Sequence, residues 1–369
     1  MPHGPRLTAL AETLPATVPF VGPEAQERAQ GFPFKARLGA NENVFGPSPR
    51  AVAAMAEASE GIWMYGDPEN HDLRAALATH HSVTPANIMV GEGIDGLLGY
   101  LTRLTVDRGD RVVTSQGAYP TFNYHVAGFG GELVTVPYRD DREDLPALLE
   151  AARECDAKLV YFANPDNPMA SWSSGEEIAA ALDLIPEGTL LVLDEAYVEF
   201  APASAVPQIA IDDPRVIRMR TFSKAYGMAG ARVGYAMAAE PLITAFNKIR
   251  NHFGMNRAAQ AGALAALADQ QYLAQTIANV AAAREEIARI AAENGLAALP
   301  SATNFVAIDC GADGAFAKAV LDQLVSRGIF VRMPFAAPGN RCIRLSCGPA
   351  PDLAAFAAAL PGALAAARR

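Results

Sequence analysis

Seven short runs of β-type apolar residues, most of them followed by a segment of helix length, constrain this chain more than any other feature. They fall at residues 88–90, 111–114, 132–136, 158–163, 190–194, 215–221 and 232–237. Between them, apolar residues recur at helical spacing at 95–106, 144–154 and 174–184. Strands that alternate with helical segments build a mostly parallel sheet between helices, because a parallel strand needs a crossover and the helix supplies it. An Ala-rich stretch from about 256 to 293 keeps helical periodicity throughout and reads as one long helix joining two domains. Beyond it, short strands at 304–308, 329–332 and 342–346 alternate with helices at 315–326 and 352–366, the pattern of a smaller α+β domain. The first 35 residues carry Pro15, Pro19, Pro23 and Pro33 and read as an irregular arm. The expected division is an arm at 1–35, a large α/β domain at 36–255, and a linking helix with a small domain at 256–369.

Composition narrows the class of function. A formal charge of −10 disfavours general nucleic-acid binding, which needs a basic face to neutralise phosphates. Glu12 and Pro15 stand where a signal peptide would need an apolar run, and no uncharged run is long enough to span a bilayer, so a cytoplasmic protein with small-molecule partners is expected. Cys155, Cys310, Cys342 and Cys347 have neither CxxC spacing nor a histidine cluster and read as buried reduced thiols. Isolated histidines such as His125 and His252 have no partner at metal spacing, and no metal site is expected.

In sheets of this kind ligands sit beyond the carboxyl ends of the strands. The run Gly91-Glu92-Gly93-Ile94-Asp95-Gly96 matches GxGxxG between a strand and a helix. A dinucleotide site also needs an acidic residue at the end of the next strand, yet that strand ends in Ser115 and Gln116. What survives is a glycine turn at a helix N-terminus that suits a single phosphate. The other strand ends carry Tyr119, Asn167, Asp194, Tyr197 and Lys224. Taken singly, each has a plain structural explanation: a turn at Tyr119-Pro120, a turn former at Asn167, an N-cap at Asp194, a surface lysine at Lys224. As a set they match the needs of pyridoxal phosphate: an amine for a Schiff base, a carboxylate for the ring nitrogen, donors to the ring hydroxyl, a stacking aromatic and a phosphate cup.

The stretches ANENVFGPSP, NPDNP, VLDEAYVEF, TFSKAYGMAGARVG and CIRLS, in this order over about 20–348, resemble the fold-type-I pyridoxal-phosphate aminotransferases of class I/II, and within them the histidinol-phosphate aminotransferase branch. The resemblance implies that family's α/β fold: a large domain with a mostly parallel seven-stranded sheet between helices, plus a smaller α+β C-terminal domain. It implies pyridoxal 5'-phosphate as cofactor, with Lys224 as the Schiff-base lysine and Asp194 on the pyridinium nitrogen. Asn167 and Tyr197 would bond the ring hydroxyl, and Tyr119 would stack on the ring. The phosphate would be held by Gly93, Ile94, Asp95, Ser223 and Arg232, with Tyr65 reaching across from the second subunit of a homodimer. Asn41, Phe20, Arg332 and Arg344 would meet the substrate, a guanidinium fork suiting carboxylate or phosphate alike. Burial and Arg232 are expected to lower the Lys224 pKa so that the amine can carry protons.

The chain departs from the branch at two places. Phe20 stands where the branch has a tyrosine near the substrate phosphate, which brings an aromatic amino acid in beside histidinol phosphate as amino donor; a 2-oxo acid such as 2-oxoglutarate is the acceptor in either case. Met169-Ala170 replaces the usual Thr-Gly of a turn. Two other classes fit less well. A threonine-phosphate decarboxylase-like lyase would share the lysine and aspartate, but ANENVFGPSP looks more like the aminotransferase branch. A cofactor-binding regulator would need a basic DNA-binding module before ANEN, where only the short arm stands.

Overall fold

The computed structural model describes residues 4–16 and 21–369. All seven expected strands are present, as β1 (Ile88–Gly91), β2 (Arg111–Ser115), β3 (Glu132–Val136), β4 (Leu159–Ala163), β5 (Leu190–Asp194), β6 (Val216–Thr221) and β7 (Gly234–Met237). They form one sheet in the order β1-β7-β6-β5-β4-β2-β3. Its ladders are parallel except those of β7, which runs antiparallel to both β6 and β1. The reason is local. The connection 222–233 holds only a single 3-10 turn at Ala229–Ala231, and without a crossover helix the chain turns back instead of re-entering in the same direction. That same connection carries Ser223, Lys224 and Arg232.

Helices cover both faces, so β4 is buried along its whole length. On one face the helix Gly93–Thr105 presses Ile94, Leu97, Leu98 and Leu101 onto the sheet, within a cluster that includes Phe122 and Tyr161. On the other, Leu145–Cys155 buries Leu145, Leu148, Leu149 and Ala152, a stripe at i, i+3, i+4 and i+7. Asp144 caps that helix by accepting from the Ala147 N–H at 3.2 Å.

The Ala-rich stretch is two helices, Arg257–Ala268 and Gln270–Glu293, and not one. They meet at Asp269, whose φ of −96° and ψ of 64° break the helical path. Its carboxylate caps the second helix at the Tyr272 N–H and accepts from the Ser48 hydroxyl at 2.5 Å. The arm likewise contains two short helices, Ala9–Thr13 and Pro23–Gln30, where an irregular segment was expected.

The C-terminal sheet comprises β8 (Ala297–Ala298), β9 (Phe305–Asp309) and β10 (Cys342–Ser346), antiparallel in the order β10-β9-β8. Ala36–Arg37 pairs in parallel with Ile329–Phe330, stitching the chain just after the arm to this part of the molecule. The strand expected at 329–332 stops at Phe330, and Arg332 makes only a single bridge to Arg344. The last helix, Ala350–Ala367, is long and apolar enough to cross a membrane by length and composition alone, although Asp352 in its first turn keeps it from being the uncharged run that the sequence was expected to lack. Its residues Leu353, Phe356, Leu360, Ala363 and Leu364 belong to the hydrophobic core, which accounts for its apolar character. Cys310, Cys342 and Cys347 are buried free thiols, whereas Cys155 is only half-buried.

Candidate active site

The carboxyl ends of β1, β2, β4, β5 and β6 open on one side of the sheet, facing β9 and β10. At the β1 end the chain turns through Gly93 with φ +80°, a conformation that favours glycine. A Cβ here would lie 2.3 Å from Arg232 Nη2, so the turn and the guanidinium can approach this closely only without a side chain. Gly234 completes the fit, since a Cβ on it would lie 2.6 Å from both the Gly93 carbonyl carbon and the Ile94 nitrogen. Arg232 donates to Ser223 Oγ at 3.3 Å and to the Ala229 and Glu92 carbonyls at 3.0 and 3.4 Å. Helix N-terminus, hydroxyl and guanidinium thus converge on one spot, a donor set suited to an anion. Asp95 accepts from His125 Nε2 at 2.9 Å, which gives that histidine a structural partner.

Tyr119 directly precedes the helix Pro120–Gly128 and packs against the cluster containing Ile94 and Phe122. Burial is the main cause that pushes its hydroxyl pKa up, and the nearby charges of Asp95 and Asp194 add to it. Asp194 is the last residue of β5, paired with Ala163 on one side and Met219 on the other. It is 5% exposed. Its Oδ2 accepts from the Tyr161 hydroxyl at 2.6 Å and its Oδ1 from the Ala196 N–H at 2.9 Å. Burial pushes its pKa up while these donors and the Lys224 charge pull it down. Among the described residues no cationic side chain bonds to it, so a buried carboxylate here is suited to a cationic ligand.

Lys224 lies three residues past β6. Its Nζ donates to the Asn41 carbonyl at 3.1 Å and stands 5.3 Å from the centre of the Tyr197 ring. Its pKa is pushed down to about 8, first by burial and next by the Arg344 charge. Arg232, the residue expected to act here, contributes less than Arg344 because it points into the anion turn. Tyr197 is buried, accepts from Asn41 Nδ2 at 3.3 Å and has its pKa pushed up to about 12 by burial.

The opposite wall comes from the C-terminal sheet. Arg344 on β10 donates to Asn167 Oδ1 at 2.5 Å and lies 5.2 Å from the centre of the Phe305 ring. Burial lowers its pKa to about 10. Arg332 is bridged to it through their backbones and donates to the Val21 carbonyl at 2.5 Å, which ties the arm to this wall. Phe20, the neighbour of Val21, lies outside the described residues. Tyr65 stands apart from this cluster: it is 75% exposed and its ring packs on Phe253 at 4.6 Å.

Several contributors escaped the reading of the sequence. Ser346 and Asn304 hold Asn41 through bonds of 3.0 and 3.1 Å; CIRLS was read for Arg344 and not for Ser346, and Asn304 carried only its place in an expected strand. Glu143 and Asp166, the middle residue of NPDNP, form a buried acid pair tied to Ser115 and Tyr138 at 2.7 and 2.8 Å; burial raises both pKa values. Tyr161 sits in an apolar strand and reads as plain core.

A family model for class I and II aminotransferases matches residues 35–360. The chain belongs to that family. It is a pyridoxal-phosphate-dependent transaminase with the α/β fold expected of one. It is 34% identical over 332 residues to histidinol-phosphate aminotransferase 1 of Mesorhizobium japonicum, covering 88% of this chain and 89% of that protein. The histidinol-phosphate aminotransferase of Roseiflexus castenholzii is 36% identical over 340 residues, with coverage of 89% and 90%. Among solved structures, the histidinol-phosphate aminotransferase of Sinorhizobium meliloti in complex with pyridoxal-5'-phosphate superposes with a TM-score of 0.95 at 57% identity, covering 98% of each chain. A Thermus thermophilus aspartate aminotransferase variant, 23% identical with a TM-score of 0.80, shares the fold.

Proposed function

We propose that this aminotransferase takes its amino group from a phosphate-bearing amine of the histidinol-phosphate type and passes it to a 2-oxo acid such as 2-oxoglutarate. The observation that carries the reading is the pairing of Arg332 and Arg344 on the wall facing Lys224, two guanidiniums joined through their backbones. One such wall serves a phosphate in the first half-reaction and a carboxylate in the second. The relatives named above act in the same chemical class by their names. Asn41 completes the substrate side, where the sequence also put Phe20, a residue outside those described.

The residues fit the cofactor. Gly93, Ile94, Asp95, Ser223 and Arg232 would hold its phosphate and Tyr119 would cover its ring. Asn167 and Tyr197 would bond the ring hydroxyl, Asp194 would face the ring nitrogen, and Lys224 would bind the aldehyde carbon. When bound, the cofactor supplies a cationic ring that draws electrons from the substrate's Cα–H bond. Lys224, with a pKa near 8, is unprotonated in part of the molecules at neutral pH and can take a proton from Cα and return it to the cofactor carbon. Asp194, buried and holding two hydrogen bonds, would oppose loss of the ring nitrogen's proton.

The active unit in this reading is a homodimer in which Tyr65 completes the partner's phosphate site. Ile62, Trp63, Met64, Tyr65 and Phe253 are all exposed, an apolar group of the kind that a second subunit covers. The site then lies at the seam of the 36–255 and 256–369 units. Free thiols at Cys310, Cys342 and Cys347 suit a reducing cytoplasm.

The test is the visible spectrum of the protein with pyridoxal phosphate, before and after glutamate, then with histidinol phosphate or phenylalanine. Bleaching of the visible band by glutamate and by histidinol phosphate supports the proposal. A response to phenylalanine alone moves the donor to the aromatic amino acids. No visible band, and no cofactor fixed to Lys224 by borohydride, overturns the residue assignments.

A further inference from the structure

We propose that Tyr161 is a positioning residue for the ring end of the cofactor, its hydroxyl keeping the Asp194 carboxylate ionised and oriented. The inference rests on the reading of Asp194 given above. Ala163 is the residue of β4 opposite Asp194 on β5, and Tyr161 stands two residues earlier, so it shares the face that Asp194 presents. The Tyr161 ring is 1% exposed and stacked on Phe122 at 4.7 Å with an interplanar angle of 18°, which leaves the hydroxyl little freedom to aim elsewhere. It donates to Asp194 Oδ2 at 2.6 Å, a length typical of a hydroxyl bonded to a charged oxygen. With the Ala196 N–H on Oδ1, each carboxylate oxygen has one fixed donor, and the plane of the carboxylate is set.

A phenylalanine at 161 would preserve the stack, so packing alone does not call for the hydroxyl. Its contribution is electrostatic. Burial favours the neutral acid at Asp194, and a neutral acid cannot stabilise a ring N–H+. The donor from Tyr161 opposes that drift, and the phenol remains a donor because its own burial pushes its pKa up. The other groups around Asp194 do not replace it. Lys224 lowers the Asp194 pKa by its charge but gives its hydrogen bond to the Asn41 carbonyl and none to the carboxylate, and Tyr119 and Tyr197 are phenols whose own ionisation the Asp194 charge disfavours. Glu195, next in sequence, turns its carboxylate to Arg218 and Arg220 at 2.6 and 2.8 Å.

The experiment loads wild type, Tyr161→Phe and Phe122→Leu with pyridoxal phosphate labelled with nitrogen-15 in the ring, and follows the ring-nitrogen resonance against pH. In wild type the nitrogen stays protonated. In Tyr161→Phe its resonance moves toward the unprotonated position at a lower pH than in wild type, and kcat falls ~10- to 100-fold with KM within about threefold, the loss expected of one hydrogen bond to a charged group. Phe122→Leu disturbs the stack but keeps the hydroxyl, and leaves the resonance protonated. An unchanged resonance and kcat in Tyr161→Phe overturns the proposal, and so does equal deprotonation in Phe122→Leu, which would trace the effect to core packing. An unprotonated ring nitrogen in wild type itself would instead sink the reading of Asp194.

Discussion

Lys224 Nζ donates to the backbone carbonyl of Asn41, 3.1 Å away and 183 positions earlier in the chain. Asn41 has φ 56° and is held by Ser346 on β10 and Asn304 just before β9 on one side and bonds Tyr197 just beyond β5 on the other, so the reactive amine is aimed by a residue that both parts of the molecule clamp. Replacement of Lys224 by Ala removes the proton carrier and the point of attachment together. Turnover should fall by ~10²- to 10⁴-fold or more, while circular dichroism and the thermal midpoint stay those of a folded protein. Retained turnover would sink the assignment.

Stability should also report on that amine. Its pKa is about 8 in the folded chain against 10.5 for a free lysine side chain. Between these values the unfolded chain holds a proton that the folded chain has released, so the Lys224 contribution to stability rises with pH across that window. In the cofactor-free protein, urea unfolding of wild type relative to Lys224→Ala should therefore improve by roughly 1–3 kcal/mol from about pH 7 to about pH 10. A flat difference would mean that the amine titrates as if in water.

The anion turn gives a third prediction. Gly93→Ala would put a methyl 2.3 Å from Arg232 Nη2 at a backbone φ of +80°, so either the turn or the guanidinium must move. Loss of one charge-assisted bond to the phosphate should weaken pyridoxal phosphate binding ~10- to 100-fold, measured by equilibrium dialysis, with little change in substrate KM once the cofactor saturates. Unchanged affinity would take the phosphate away from this turn.

Much of the scaffold was legible because its signals are local. The strand runs were bounded by turn residues, and each strand of the seven-stranded sheet lies within two residues of its expected place; β4, for example, is Leu159–Ala163 against 158–163, whereas the two-residue strands Ala36–Arg37 and Ala297–Ala298 were not expected. Misreadings arose where a tertiary partner decides. Alanine carries helical propensity straight through 256–293, and only the link from Asp269 to Ser48 explains why the chain breaks there. Strand direction at β7 depended on the absence of a crossover helix within 222–233. Residues with chemistry stood out at strand ends, but what tunes them did not: Arg344 outweighs Arg232 at Lys224 only because β10 folds back over the sheet. Ala170 is a related case. The sequence marks Met169-Ala170 as a turn, yet only the structure reveals φ 65° at a fully buried alanine, where the branch has glycine.

The proposed dimer can be tested without a structure of it. Tyr65 is 75% exposed and outside its own chain's cluster, so any role in the site requires a second chain. Tyr65→Ala and Lys224→Ala should each be impaired alone. If Tyr65 serves the neighbouring site, a mixed dimer contains one site with both replacements and one with neither. Refolding equal amounts of the two variants together then gives half mixed dimers with half their sites intact, and activity should recover to ~25% of wild type. Activity that never exceeds the average of the two variants would mean that Tyr65 acts on its own chain or not at all.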